Sequence, residues 1–451
     1  MKIISYIFTL FLLSGIGYQS YGQESITLQE ALQYALNNSE AVQKARLDIE
    51  KGQYKVAEVR ASALPQIDAT SNMTYNIQRQ KFLLPAVIAG GAEGEFIAVE
   101  AGTAWSAMTQ VQLNQQIFNQ QVFTGLKAAK SSAEYYRLAA NLAEENLLQQ
   151  VATNYYMVII NREKLNVIDA NIDRVKKLES MVKSQFEVGL AKKIDYDRVK
   201  VNLSNLLADR QTMVNAVDQQ MNLLKFYMGM PINESLNIPE SGLAELEKTA
   251  TMQLASNGFD PESLTEFKVL KKQEELLNFQ KKAYVAEYYP SLMLGANYTY
   301  SSQTDNFNIY TNKALNYGMS GATLTLRIPI FDGNARGNKV KQAKIDILEL
   351  QEDLRKTRNS LDMAHKNAQI QIQNSLNTIE SQKANRELAE EVYNSTQNNY
   401  HNGLASLTDL LAAETDLISA QNSYNEALLN FKVAQIELIK SNGNIKTLIS
   451  E

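Results

Sequence analysis

The chain has 451 residues, 45% of them hydrophobic and 21% charged, which is ample material for a packed fold and excludes global disorder. It has no Cys, so disulfides, thiolate metal sites, a cysteine nucleophile and an acylated N-terminal cysteine are all ruled out. A formal net charge of −5 gives nucleic acid no electrostatic foothold, and 20 Gly with only 7 Pro leave long unbroken stretches that favour long helices.

The first 22 residues read as an export signal. Lys2 precedes an apolar run from Ile3 to Leu13, followed by Gly15, Gly17 and a small-x-small site at Ser20-Tyr21-Gly22, with cleavage expected after Gly22. The run is too short to span a bilayer as a helix, which needs ~20 apolar residues. No other apolar run approaches that length, so any membrane crossing must be made by strands.

The remainder reads as two similar halves, 23–228 and 262–451, around a linker at 229–261 that contains Pro231, Pro239 and Pro261. Phe186-Glu-Val-Gly189-Leu190-Ala191-Lys-Lys-Ile-Asp195 aligns with Tyr400-His-Asn-Gly403-Leu404-Ala405-Ser-Leu-Thr-Asp409 at an offset of 214 residues. Ile117-Phe118-Asn119 aligns with Ile330-Phe331-Asp332, and Leu64-Pro65-Gln66 with Tyr289-Pro290-Ser291. So long a period points to a duplicated domain rather than a solenoid, whose repeats run roughly 20–50 residues.

Each half opens with a helix, expected at 25–62 and 262–288, and continues into a pair of strands, expected at 66–80 and 103–117 and again at 291–304 and 317–330. Period-two alternation carries the strands. Ile67, Met73, Tyr75 and Ile77 alternate with polar residues, as do Trp105, Val111 and Leu113; Leu292, Leu294, Tyr298 and Tyr300, then Leu324 and Leu326, repeat the pattern. The apolar face could meet a second sheet in a soluble sandwich or lipid in an outer-membrane barrel. The export signal, the strand length and the aromatic residues on that face favour the barrel, with loops 81–102 and 305–316 outside the cell.

After the strands come very long helices, expected at 120–187 and 334–401, because residues 126–188 and 338–402 contain no Gly or Pro. Leu165, Ile168, Ile172, Val175, Leu178 and Val182 form one apolar stripe at helical spacing, which requires coiled-coil partners along its length. Turns at Gly189 and Gly403 lead into shorter helices at 192–228 and 405–442. Four strands per chain cannot close a barrel, and the Gln- and Asn-rich inner face suits a water-filled lumen, so three chains giving twelve strands is the smallest sensible assembly. His365 and His401 have no second ligand at helical spacing and are read as solvated, and no phosphate loop, nucleophile motif or paired carboxylates ask for catalysis. No enzyme activity, metal or cofactor is expected.

These features together resemble the TolC-type outer-membrane efflux and secretion channels. The resemblance covers essentially the whole mature chain and is carried by the duplicated halves, Leu64-Pro65-Gln66, Gly229-Met230-Pro231, Ile330-Phe331-Asp332-Gly333 and the Gly-Leu turns. It implies a mixed α and β homotrimer: a twelve-stranded barrel in the outer membrane, continued by a twelve-helix coiled-coil α-barrel in the periplasm. It implies docking onto a periplasmic adaptor (membrane fusion) protein and an inner-membrane pump of RND or ABC type, so that substrates leave without chemistry by the duct itself. Val188-Gly189-Leu190 matches the family's periplasmic turn and Gly403-Leu404 matches it less fully, so the adaptor is expected to dock there. Asp195 and Asp409 fall where the family places acidic residues near the entrance. Ala412 and Ala405 replace an acidic residue and an Arg found in some members. Apart from the resemblance, the turn glycines also satisfy the positive φ that a helix-ending turn needs, and Ser406 with Asp409 also reads as a helix capping box. The rival architecture is an exported coiled-coil structural or adhesin protein with a soluble β cap.

Overall fold

The computed structural model describes residues 25–239, 259–308 and 313–449. The export signal lies outside these residues, as do most of the linker and the middle of the 305–316 loop. The chain divides into two compact units: one of residues 47–138 and 268–356, the other of residues up to 46, 139–267 and 357 onward.

The unit formed by 47–138 and 268–356 carries the strands. Its four-stranded antiparallel sheet has the order β1-β4-β5-β6, made of β1 Gln66–Tyr75, β4 Trp105–Phe118, β5 Ser291–Thr304 and β6 Leu315–Arg327. The first strand ends five residues earlier than the alternation suggests. Asn76 turns out of the ladder, its backbone N–H and side-chain amide donating to the carbonyls of Ala104 and Thr103, so Ile77 falls beyond the sheet. The expected loop 81–102 instead holds a second ribbon, β2 Gln80–Pro85 paired with β3 Phe96–Ala101. Asp305 clamps its base, accepting from the Arg79 guanidinium at 2.7 Å and from the Ala104 N–H at 2.9 Å. The last strand lies at 315–327 rather than 317–330, since Pro329 cannot donate to a ladder.

The register puts Ile67 opposite Leu113, Tyr75 opposite Trp105, Val111 opposite Tyr298, and Leu294 and Leu292 opposite Leu324 and Leu326. Met73 and Tyr300 follow by parity, so all the apolar strand residues expected to share a face do so except Ile77. A bulge between Gln116 and Phe118 ends the β4 alternation. The opposite face carries Gln110, Gln112, Asn114, Asn297 and Thr299.

The other unit is helical, and part of the helical chain, including nearly all of residues 265–286, belongs to the strand-bearing unit. Helix α1 (Leu28–Asn38) begins with a capping box in which Thr27 and Glu30 satisfy each other's backbone N–H groups, and α2 (Glu40–Ala61) follows. The single helix expected at 25–62 is therefore broken, with Ser39 in an extended conformation. Helix α3 (Gln120–Glu187) and helix α4 (Lys193–Met228) come next, then α5 (Thr265–Ala286), α6 (Ala335–His401) and α7 (Leu407–Ser441). Gly229, at φ +70, closes α4 with its Met230 N–H bonded to the Lys225 carbonyl. A Cβ on Gly229 would lie 2.5 Å from the Asn38 carbonyl oxygen, so the glycine is what lets this turn pack against the α1–α2 break. Leu32, Val151, Ile160, Leu224, Met228 and Leu428 form one core, and Ile172, Val175, Val182, Val199, Leu407 and Leu417 form another beside the turns.

Candidate functional site

The two turns have the same geometry. After α3, the Leu190 N–H reaches back to the Gln185 carbonyl at 2.8 Å and the Gly189 N–H to Phe186 at 3.0 Å, with Gly189 at φ +79. After α6, Leu404 reaches Asn399 at 2.8 Å and Gly403 reaches Tyr400 at 3.0 Å, with Gly403 at φ +74. Both are left-handed helix ends that a side chain would strain. Val188, Leu190 and Leu404 are 70%, 82% and 78% exposed, so both turns present apolar side chains to the outside of the chain.

The two aspartates beyond the turns are held differently. Asp409 completes the capping box of α7: its Oδ2 accepts from the Ser406 N–H at 3.0 Å and the Ser406 hydroxyl at 2.7 Å, and that hydroxyl accepts from the Asp409 N–H. These bonds hold the carboxyl below its usual range. Asp195 lies in the first turn of α4, whose N-cap Lys192 supplies no side-chain cap. Burial pushes up the Tyr400 phenol at the end of α6, and the negative charge of Asp195 adds to it. Nearby, Arg198 Nη1 donates to Thr408 Oγ1 at 3.0 Å, tying the second turn of α4 to the first turn of α7.

One group in this region was missed in the sequence. Glu414, on the buried face of α7, lies 3.7 Å from Arg174 Nε, too far for a hydrogen bond, and the Arg174 guanidinium sits 5.6 Å from the ring of Tyr393. Burial pushes the Glu414 carboxyl up to about 7, opposed by Arg174. A signal was present: Glu414 falls seven residues after Leu407 and three before Leu417, on the apolar stripe of its helix. His365, expected from the sequence to be solvated, is instead buried elsewhere in the same unit, because it stacks on Phe259 at 4.0 Å with Nδ1 3.1 Å from the Ser441 hydroxyl. Among the described residues no group of three or more His, Asp or Glu is arranged to hold a metal.

At the junction of α5 and α6, Gly333 and Asn334 both take positive φ, and Asp332 accepts from the Arg336 side chain at 2.6 Å and backbone at 3.0 Å. Arg336 also donates to the Glu287 carbonyl at the end of α5. The Ile330-Phe331-Asp332-Gly333 motif thus leads into α6, with Asp332 fixing the Arg that joins the two helices.

A family model described as "Outer membrane efflux protein" matches residues 31–230 and 267–444. The chain is 22% identical over 442 residues to the outer membrane protein TolC of Escherichia coli, covering 96% of this chain and 85% of that protein. It is 25% identical over 435 residues to the pyoverdine export outer membrane protein OpmQ of Pseudomonas aeruginosa, covering 92% and 85%. Among solved structures it superposes on the Campylobacter jejuni CmeC outer membrane channel with a TM-score of 0.72 at 15% identity, covering 96% of this chain and 91% of that one. The open state of the Neisseria gonorrhoeae MtrE channel gives a TM-score of 0.70 at 18% identity, covering 92% and 88%.

Proposed function

The chain belongs to the outer membrane efflux protein family, and from that premise we propose that it is the outer-membrane exit duct of a tripartite efflux or type I secretion system. Three copies would supply twelve strands to one barrel and pool their helices into a periplasmic tunnel, and substrates would pass through without being chemically changed. The observation that carries this reading is the sheet register, which gathers Ile67, Leu113, Tyr298, Leu294 and Leu324 on one face and amides and hydroxyls on the other. An apolar outer band around a polar lumen needs that division.

The exposed turns at Val188-Gly189-Leu190 and Gly403-Leu404 would receive the hairpins of a periplasmic adaptor, which in turn would engage an inner-membrane pump of RND or ABC type. Asp195 and Asp409 would line the periplasmic entrance, each repeated three times around the axis and so able to attract cations. Asp409 would do this while capping its helix. The match of the family description to two segments supports a chain built from two tandem repeats. The chain has no cysteine to carry a lipid, which supports anchoring in the outer membrane by the barrel alone.

Reconstitution of the mature chain into planar bilayers tests this reading. Discrete conductance steps of a water-filled pore are expected. Recovery in soluble fractions without conductance would favour instead an exported coiled-coil protein with a soluble β cap.

A further inference from the structure

Asp68 and Arg327 are the only charged residues in the four-stranded sheet. One stands on each of its open edges, Asp68 on β1 and Arg327 on β6. They share a face: Asp68 pairs across to Gln112, Asn297 and Gly321 in turn, and Arg327 pairs with Ser291, which lies on the Asn297 face of β5. This is the polar face. Both side chains are exposed, and among the described residues neither takes part in an ion pair within the chain.

Their heights also correspond. The row through Gln66, the first residue of β1, runs through Asn114, Gly295 and Thr323, and β6 continues four residues past it to end at Arg327. When the β6 edge of one copy meets the β1 edge of the next with their ends level, Arg327 comes beside Gln66, one same-face step from Asp68. A twelve-stranded cylinder with strands tilted about 35–45° shifts each row by about 4–6 residues per four strands, which covers the positions opposite Gln66 and opposite Asp68. Directly opposed residues have Cβ atoms about 5 Å apart and diagonal ones about 7–8 Å, both within reach of an arginine.

Resting on the barrel reading above, we propose that Arg327 of one copy pairs with Asp68 of the next across the seam between chains, and that this pair fixes the seam's register. The occupant of the open edges is a second copy of this chain. Alternation of apolar and polar residues forbids a slip of one residue, because every side chain would change face, but it permits a slip of two. The charge pair removes that freedom, since a slipped seam leaves two opposite charges unmatched in a sheet that has no others.

The test is charge exchange, read by the temperature at which the detergent-extracted trimer dissociates on a semi-native gel. Asp68→Arg alone and Arg327→Asp alone are expected to lower that temperature, and the double exchange to restore it. Because the chain has no Cys, Leu326→Cys combined with Ile67→Cys or Ala69→Cys gives a clean second readout that leaves the charges in place. Oxidation is expected to link chains into dimers and trimers, while Leu326→Cys with Tyr75→Cys is not. A wild-type trimer whose single exchanges change nothing, whose double exchange does not rescue, or which links through Tyr75→Cys would overturn the pair and leave the barrel reading standing. A wild-type chain that stays monomeric would overturn the barrel reading and the pair with it.

Discussion

Arg198 Nη1 donates to Thr408 Oγ1 at 3.0 Å, joining the second turn of α4 to the first turn of α7 across 210 residues of chain. Both residues follow the turns that end the long helices, and both are exposed, so this bond ties two hairpin ends at the surface of their unit. Removing it should loosen those ends without disturbing the core beneath. Arg198→Ala is therefore expected to raise single-channel conductance in planar bilayers, with thermal stability changed by less than about 1 kcal/mol, the usual range for an exposed polar contact. Unchanged conductance would mean that the link does not hold the entrance.

The glycines differ in what they tolerate. A Cβ on Gly189 or Gly403 would meet no atom within 4 Å, so Ala there suffers only the left-handed backbone and is expected to cost about 1–2 kcal/mol. At Gly229 the same Cβ would lie 2.5 Å from the Asn38 oxygen and 2.7 Å from its carbon. Backbone cannot swing aside as a side-chain end can, so Gly229→Ala is expected to cost about 3 kcal/mol or more. Thermal denaturation of the three variants measures this order; equal losses would show that the α1–α2 break yields.

Much of this was legible from the sequence, and the exceptions have physical causes. Alternation over Gln66–Tyr75 and Ser291–Thr304 identifies strands because a half-buried ladder imposes period two, and a run without Gly or Pro identifies α3 because nothing local interrupts it. The break at Ser39 was not legible. It depends on packing against Gly229, nearly 200 residues away, and on side-chain bonds from Asn38 and Gln43 to carbonyls at the end of α1. The ribbon of β2 and β3 was hidden because Phe82-Leu83-Leu84 and Phe96-Ile97 are apolar on both faces, and a run without alternation carries no strand period. At the candidate site, Gly189, Gly403 and the Asp409 cap follow from local rules. The Arg198–Thr408 bond and the Glu414–Arg174 pair are tertiary, and only Glu414 left a trace in the apolar spacing.

Glu414 should give the protein a pH-dependent stability. Burial raises its carboxyl from an ordinary 4.5 to about 7. Below pH 4.5 it is protonated in both the folded and the unfolded chain. Between 4.5 and about 7 only the folded chain keeps the proton, so stability falls as pH rises through this window and levels off above it. The loss is at most about 3 kcal/mol. Glu414→Gln is expected to flatten the stability profile between pH 5 and 7.5 in denaturant titrations; an unchanged slope would show that Arg174 keeps the carboxylate charged throughout.

Leu324 and Thr323 are neighbours on β6 that point to opposite faces, Leu324 across from Leu294 and Thr323 across from Gly295. A cationic side chain on the lipid face of a barrel costs about 2–4 kcal/mol at mid-membrane, whereas a lumen position faces water. Leu324→Arg is expected to reduce the amount assembled in outer-membrane fractions severely, and Thr323→Arg to leave assembly nearly intact while changing ion selectivity. Equal tolerance of both would mean that neither face meets lipid.

The most direct measurement is the symmetry of the particle obtained by detergent extraction of outer-membrane fractions, seen by single-particle electron microscopy. A threefold particle with a closed strand barrel, released only by detergent, is the expected result. A monomer or an open fibre recovered without detergent would contradict the exit-duct reading, because four strands alone cannot enclose a channel.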